Sequence, residues 1–190
     1  MNFQDTQLIG VLARAESTVS SLSDLLGGLV EKFAARGYSL YLVGGSVRDA
    51  LLGRLGNDLD FTTPARPEVV KEILDEWAET VWDTGIAYGT VSAVYKGQQI
   101  EITTFRSDSY DGQSRNPEVI YGDSLEGDLV RRDFKVNAMA IELLADATFE
   151  FHDPLGGLHD VANKVLDTPD KPAISFHDDP LRMLRAARFA

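Results

Sequence analysis

The chain has 190 residues, 30 acidic against 18 basic, for a formal net charge of −12 with 44% hydrophobic residues, which excludes a disordered polar chain. It has no cysteine, which excludes a disulfide scaffold, a cysteine-ligated zinc site and thiol catalysis. No apolar run approaches the ~18 residues of a membrane span, and the acidic balance disfavours wholesale coating of nucleic acid, so a soluble cytoplasmic protein is expected.

Residues 1–37 read as helical. Leu8, Val11, Leu12 and Ala15, then Leu22, Leu25, Leu26, Leu29, Val30 and Phe33, form an apolar stripe that Gly37 stops. Residues 38–43 read as a strand closed by Gly44-Gly45, and Ser46 is expected to cap a short helix over 47–52. Residues 58–63 alternate polar with apolar, as a second strand does. Pro64 and Pro67 end it and open a helix through Trp77. Short strands follow over 80–82, 90–95 and 99–105, the last two joined by a Lys96-Gly97 turn. Residues 107–127 crowd turn formers together and read as a mobile loop. The pattern then predicts a charged helix over 128–135, a core strand over 136–143 and an edge strand over 149–152. Pro154, Gly156 and Gly157 suggest a joint. A helix runs from Asp179 to the end without a stop signal, as though the chain continued beyond Ala190.

Two constellations carry chemistry. In Gly44-Gly45-Ser46-Val47-Arg48-Asp49, a strand runs through two glycines into a helix, aiming backbone N–H groups and the positive end of the helix dipole outward. Phosphate is the natural ligand of such a turn, and Arg48 in the first helical turn can reach the same anion. The alternative is a plain tight turn with a paired arginine. In Asp58-Leu59-Asp60, residues i and i+2 of a strand put two carboxylates on one face while Leu59 turns to the core. Like charges held together make sense where a divalent cation lies between them, and magnesium suits such a site. The alternative is a pair of solvated acids. A phosphate cradle followed closely by paired carboxylates is what metal-assisted nucleotidyl transfer needs. Glu101 is the candidate third carboxylate, sharing a strand face with Thr103.

These residues resemble a known family. Residues 42–49 together with Asp58-x-Asp60 look like the first motif of the class II tRNA nucleotidyltransferases, which comprise CCA-adding enzymes and bacterial poly(A) polymerases within the DNA polymerase beta superfamily. Residues 129–138, Leu-Val-Arg-Arg-Asp-Phe-Lys-Val-Asn-Ala, resemble the family's Arg-Arg-Asp-Phe-Thr-Ile-Asn-Ala element, with Lys135 in place of threonine. Asp153-Pro154-x-Gly156-Gly157-x-x-Asp160 is similar to the motif that links head to neck. Residues 178–189 resemble the Glu-Asp-x-x-Arg motif and its following arginines, with Asp178 replacing the glutamate. Residues 1–36 carry little of this resemblance.

The resemblance implies an α/β (α+β) polymerase-beta-like head, built on a mixed, largely antiparallel sheet with flanking helices, leading into a helical neck. It divides the chain into an N-terminal helical segment over 1–36, a catalytic head over 37–152, and a linker with the start of the neck over 153–190. The implied reaction adds C, C and A to the tRNA 3′ end from CTP and ATP, releasing pyrophosphate, with two Mg²⁺ ions held by Asp58 and Asp60 and with Glu101 as a further catalytic acid. The implied nucleotide-binding residues are Gly44, Gly45, Ser46, Arg48, Arg132, Asp133, Asn137, Asp179, Arg182, Arg185 and Arg188. Of these, Asp179 and Arg182 match the positions thought to choose the base. On residues alone, Asp179 serves equally as an N-cap followed by Pro180 at N1, with the arginines a solvated stripe. A poly(A) polymerase or a partial CC- or A-adding enzyme fits the same motifs. A non-catalytic nucleotide- or RNA-binding module is the reading from another class.

Weaker candidates read blandly. His152, His159 and His177 show no ligand spacing, and Tyr38, Tyr41, Trp77 and Trp82 read as core. Tyr88 and Tyr110 are candidates for touching nucleic acid, and the acids at 108, 111, 123, 126 and 128 read as a solvated face.

Overall fold

The computed structural model describes residues 3–109, 118–146 and 148–189. A single long helix, α1 (Phe3–Ala35), opens the chain and buries Val11, Ala15, Val19, Leu26, Leu29 and Phe33, the stripe expected of helical spacing. Gly37, at φ +78°, ends it: its N–H donates to the Ala34 carbonyl at 2.9 Å, and that of Tyr38 donates to Phe33 at 3.0 Å.

Seven strands form one sheet in the order β3-β4-β5-β2-β1-β8-β9. They are β1 (Leu40–Val43), β2 (Asp58–Thr63), β3 (Thr80–Trp82), β4 (Thr90–Tyr95), β5 (Gln98–Thr104), β8 (Ala140–Leu143) and β9 (Phe149–His152). Only β2 and β5 pair in parallel; every other neighbour is antiparallel. The sheet is therefore mixed and largely antiparallel, as expected.

The two faces of the sheet differ sharply. Leu40, Leu42, Leu59, Phe61, Ile100, Ile102 and Ile141 lie in the main core with the apolar sides of α1 and of α3 (Pro67–Asp75), which supplies Val70, Ile73 and Leu74. The alternate residues, among them Asp58, Asp60, Glu101 and Glu142, take the other face because strand side chains alternate. A small second cluster of Val43, Leu129, Ala138 and Ala140 covers part of that face. The candidate site stands on the part left open.

Several local expectations need correction. The helix after β1 is α2 (Gly44–Leu51), starting at Gly44 with Val43 as N-cap. Ser46 does not cap it: its hydroxyl accepts from the Asp60 N–H at 2.9 Å and reaches the Asp58 carbonyl at 3.3 Å. The ends of segment 107–127 are not loop, because β6 (Arg106–Ser109) pairs antiparallel with β7 (Glu118–Tyr121); Tyr110 and Asp111 lie outside the described residues. The polar residues of β6, Arg-Ser-Asp-Ser, hid this pairing from a hydrophobic pattern, while Val119-Ile120-Tyr121 of β7 carried a strand signal that the surrounding turn formers masked.

The charged helix, α4 (Leu125–Val130), begins earlier than expected because the Ser124 hydroxyl accepts from the Gly127 N–H at 3.2 Å. It stops before Arg131, and a 3-10 turn (Lys135–Asn137) occupies what read as the start of a strand. Asp133 favours that break, since its carboxylate accepts from the Phe134 N–H at 2.9 Å and the Asn137 amide at 3.1 Å.

Beyond β9 the chain forms α5 (Gly157–Asn163), α6 (Pro172–Asp178) and α7 (Leu181–Phe189). The carboxylate of Asp153 caps α5 through the N–H groups of Gly157 (2.7 Å) and Leu158 (2.9 Å). Asp179 precedes the last helix instead of lying in it, and accepts from the Leu181 N–H at 3.0 Å.

Gly157 packs so closely on the 3-10 turn that a Cβ would stand 2.2 Å from the Lys135 carbonyl oxygen. Gly157→Ala must push backbone away from backbone, and we expect it to lower stability by about 1–3 kcal/mol. A urea unfolding midpoint unchanged from the parent would show that the contact yields freely.

Candidate active site

The site begins where α2 leaves the sheet. Gly44 adopts φ +67°, a conformation other L residues rarely adopt. A Cβ there would lie 3.1 Å from Arg132 Nη1 and 3.7 Å from Asp60 Oδ2. The glycine thus lets a guanidinium and a carboxylate close over the same turn. Directly alongside, the bonds from Ser46 fix the backbone of Asp58 and Asp60 to the start of α2.

Three carboxylates share this rim. Asp58 and Asp60 alternate with buried Leu59 on β2, and the parallel register sets Glu101 beside Asp60. Although Asp60 keeps exposed surface, its carboxyl is held above the ordinary aspartate range. Desolvation is the leading cause and Glu101 the next; Arg132 opposes the shift and Asp58 adds to it. Among the described residues, no lysine or arginine nitrogen comes within 4.0 Å of any of the three. These are hard oxygen donors without a close counterion, the ligand type a divalent cation takes, but the ligand atoms of the three do not all lie within 4.8 Å of one another, so as placed they do not form a closed metal site.

The cations of the site are organised from behind. Asp128 has no exposed surface. Its Oδ1 accepts from Arg131 Nη2 at 2.8 Å and Nε at 3.2 Å, and its Oδ2 accepts from Arg132 Nη2 at 2.9 Å. Burial alone pushes this carboxyl's pKa up, but the Arg132 and Arg131 guanidiniums outweigh it and hold it below the usual range. The expectation of a solvated acid at position 128 is overturned. The available signal was spacing, since arginines at i+3 and i+4 lie on the helix face of Asp128.

Other candidate residues are committed to internal partners. Arg48 donates Nε and Nη2 to Asp49, each at 3.0 Å, and Nη1 to the Asn137 side-chain oxygen at 2.8 Å. Its guanidinium also lies 4.9 Å from the Phe189 ring centroid. Asp133, 7% exposed, pairs with Arg185 at 2.8 Å. Arg182, 9% exposed, donates Nη1 to the Ser175 hydroxyl at 2.7 Å and Nη2 to the Arg131 carbonyl at 3.1 Å. Arg188 stands on the wall of an open cleft of about 700 Å³ that Arg48, Arg54, Lys164 and Phe189 also line.

Two further readings change. His152 does have potential co-ligands: it, Glu142 and Glu150 each offer one atom, all within 4.8 Å of one another. Strand pairing across β8 and β9 creates this grouping, which spacing along the chain does not reveal. Tyr41 belongs to this polar face rather than to the main core, and burial followed by the charges of Glu142 and Glu150 raises its pKa while Ser39 lowers it. Trp77 packs on Tyr95 with centroids 4.0 Å apart, as a core residue should, and Tyr88 is exposed.

The linkage for Asp60 has a definite sign. A carboxyl whose folded pKa is raised contributes stability below its unfolded value, and that contribution is lost as pH rises through the folded value. At neutral pH without divalent cation, Asp60→Asn should therefore melt higher than the parent. The gap should narrow as pH falls toward 4. Equal melting temperatures throughout that range would mean that the three acids do not strain one another.

With this geometry in place, the comparisons with known proteins are direct. Residues 40–167 match the family model described as the poly A polymerase head domain. A CCA-adding enzyme of Listeria innocua is 44% identical over 162 residues, covering 85% of this chain and 39% of its own length. That of Enterococcus faecalis is 43% identical over 163 residues, with 85% and 38% covered. Among solved structures, the Bacillus stearothermophilus CCA-adding enzyme in complex with CTP superposes with a TM-score of 0.70 at 38% identity, covering 88% of this chain and 38% of that one. A tRNA nucleotidyltransferase complexed with a primer tRNA and an incoming ATP analog gives 0.69 at 32% identity, covering 90% and 44%. The chain spans about two-fifths of the length of these relatives. With residues 40–167, well over half of its length, matching that model, the chain belongs to the poly A polymerase head domain family.

Proposed function

We propose that this chain carries the nucleotidyl-transfer centre of a template-independent CCA-adding enzyme, acting on CTP, ATP and the 3′ end of tRNA. The observation that carries the reading is the placement of Asp58, Asp60 and Glu101 on one face of the sheet, across β2 and β5, against a glycine turn that opens a helix. The relatives named above, which include proteins solved with CTP and with tRNA plus an ATP analog, support the choice of substrates.

In this reading Asp58 and Asp60 would hold Mg²⁺, two ions during turnover, with Glu101 beside them on the neighbouring strand. When bound, the ions supply Lewis-acid stabilisation of the charge that develops on phosphate oxygens. The α2 N-terminus at Gly44 and Gly45 offers backbone N–H groups to the triphosphate, and Arg132 offers a fixed cation beside them. The 3′-hydroxyl of the RNA attacks the α-phosphorus in line and releases its proton to solvent; the new O–P bond forms as the bond from the α-phosphorus to the α,β-bridging oxygen breaks, and pyrophosphate leaves with that oxygen. The protein's part is to orient the two reactants and to hold charge where the leaving group needs it. Asp133 and Asn137, bound to each other, stand where the family resemblance puts contacts to the ribonucleotide. Arg185, half-exposed and paired with Asp133, can exchange that partner for a phosphate. Asp179 and Arg182 would choose the base, an assignment that requires Arg182 to leave Ser175 and the Arg131 carbonyl.

The net charge of −12 leaves little basic surface to hold a polyanion, so the 190 residues alone should bind Mg-nucleotide yet add nucleotides to tRNA weakly or not at all. Efficient CCA addition by this chain alone would contradict that expectation. In an enzyme containing the head and a complete tRNA-binding body, Asp58→Ala or Asp60→Ala should lower incorporation by about a thousandfold or more. Unchanged turnover in Asp58→Ala would favour a non-catalytic binding module. Labelled products made from CTP alone, ATP alone and both together separate CCA addition from poly(A) synthesis or partial addition.

A further inference from the structure

We propose that Asp128 is a positioning residue for nucleotide: from a fully buried place behind the carboxylate cluster, it holds the Arg132 guanidinium against the glycine turn, so that an entering triphosphate meets a fixed cation. The proposal rests on the nucleotidyl-transfer reading above and adds to it a residue outside the cluster and outside the nucleotide-contact positions.

The geometry is specific. The two oxygens of Asp128 divide their work, Oδ1 binding Arg131 and Oδ2 binding Arg132 Nη2 at 2.9 Å. Oδ1 also lies 3.4 Å from the backbone N–H of Arg106, where β6 begins. With Nη2 anchored, the other end of Arg132 is directed over the turn, and Nη1 lies 3.1 Å from where a Gly44 Cβ would be. Among the described residues, Nη2 is the nitrogen of this guanidinium that is hydrogen-bonded, and Nε is buried without a partner. One end of this guanidinium is thus tied down, while the other faces the turn that the phosphate reading requires.

Electrostatics favours the same role. Arg132 lies between two acids, a buried one that it bonds and Asp60, whose charge it partly offsets. An arginine free to rotate would swing fully onto the exposed carboxylates and fill the cation site. Tethering by Asp128 keeps the guanidinium available to phosphate, which arrives with metal, and removes the rotamer freedom that binding would otherwise have to freeze. The same segment reaches the last helix, because the Arg131 carbonyl accepts from Arg182. One buried carboxylate therefore bears on the glycine turn through Arg132, and on the last helix through the backbone of Arg131.

The test is a double-mutant cycle on this chain, read as the dissociation constants of Mg-ATP and Mg-CTP. Asp128→Asn keeps the side-chain shape and removes the charge, and is expected to weaken nucleotide binding about tenfold. Arg132→Ala should weaken it at least as much. In Asp128→Asn/Arg132→Ala the two losses should not add, because the first acts through the second. A purely structural role predicts additive losses, which would overturn the proposal, as would affinity within twofold of the parent in Asp128→Asn. Should Asp128→Asn fail to fold, Asp128→Glu retains the charge on a longer arm and displaces the guanidinium; parental affinity in that variant would equally overturn it. If the parent chain itself bound neither Mg-nucleotide, the nucleotidyl-transfer reading would fall and this proposal with it. Binding by the parent with an unaffected Asp128→Asn removes only the positioning role.

Discussion

The parallel register between β2 and β5 is the constraint on which the site depends. It pairs Asp60 with Glu101 and, in the same stroke, Leu59 with Ile100 and Phe61 with Ile102. Those four apolar side chains have at most 1% exposure and lie under α1 and α3. Slipping β2 by one residue would turn Asp58 and Asp60 into the core and expose Leu59 and Phe61, so hydrophobic burial strongly specifies the register. The core holds the acids together against their repulsion. The strain recorded in the raised pKa of Asp60 is the local cost, and burial of the opposite face outweighs it.

Cations are arranged in the reverse manner. A site filled with its own arginines would neutralise the acids and leave no room for metal. Here the described arginines are drawn away by dedicated partners: Arg48 by Asp49 and Asn137, Arg131 and Arg132 by Asp128, Arg185 by Asp133. Each pair is partly or wholly withdrawn from solvent, where charge-assisted bonds of good geometry hold side chains firmly. Removing the acid from such a pair frees a cation as well as breaking a contact.

Much of this was legible in the sequence, for identifiable reasons. The common face of Asp58, Asp60 and Glu101 was legible because period-2 alternation marks a strand face directly, and Leu59, Ile100 and Ile102 report the opposite face. The turn at Gly44 was legible because two glycines between a strand and a helix mark a tight reversal of the chain. Asp128 was missed because its environment is made by Arg131, Arg132 and the start of β6, and a window around 123–128 shows only scattered acids. Ser46 was misread as a cap because a serine near a helix start usually is one; its hydroxyl instead bridges to β2, fourteen residues on. The Glu142–Glu150–His152 group was hidden because two strands must pair before its members meet.

The last helix shows how geometry separates residues that spacing alone presents as one stripe. Arg182, Arg185 and Arg188 follow at steps of three, each a rotation of 300°, so successive side chains retreat by 60° around the axis. Arg182 faces the head and is 9% exposed; the Arg185 side chain is 50% exposed and spans to Asp133; Arg188 is exposed and lies along Phe189, 5.0 Å from its ring centroid. Phe189 in turn meets Phe134 edge-on at 5.8 Å and receives Arg48, so the far end of the helix is anchored by aromatic contacts. A uniformly solvated stripe would show no such gradient. The ordering implies an ordering of availability: a nucleotide approaching this helix meets Arg188 and Arg185 at once, and meets Arg182 only by displacing two internal hydrogen bonds. Those bonds join α6 and the Arg131 carbonyl to α7, so any ligand that captured Arg182 would also loosen α7 from the segment that Asp128 holds.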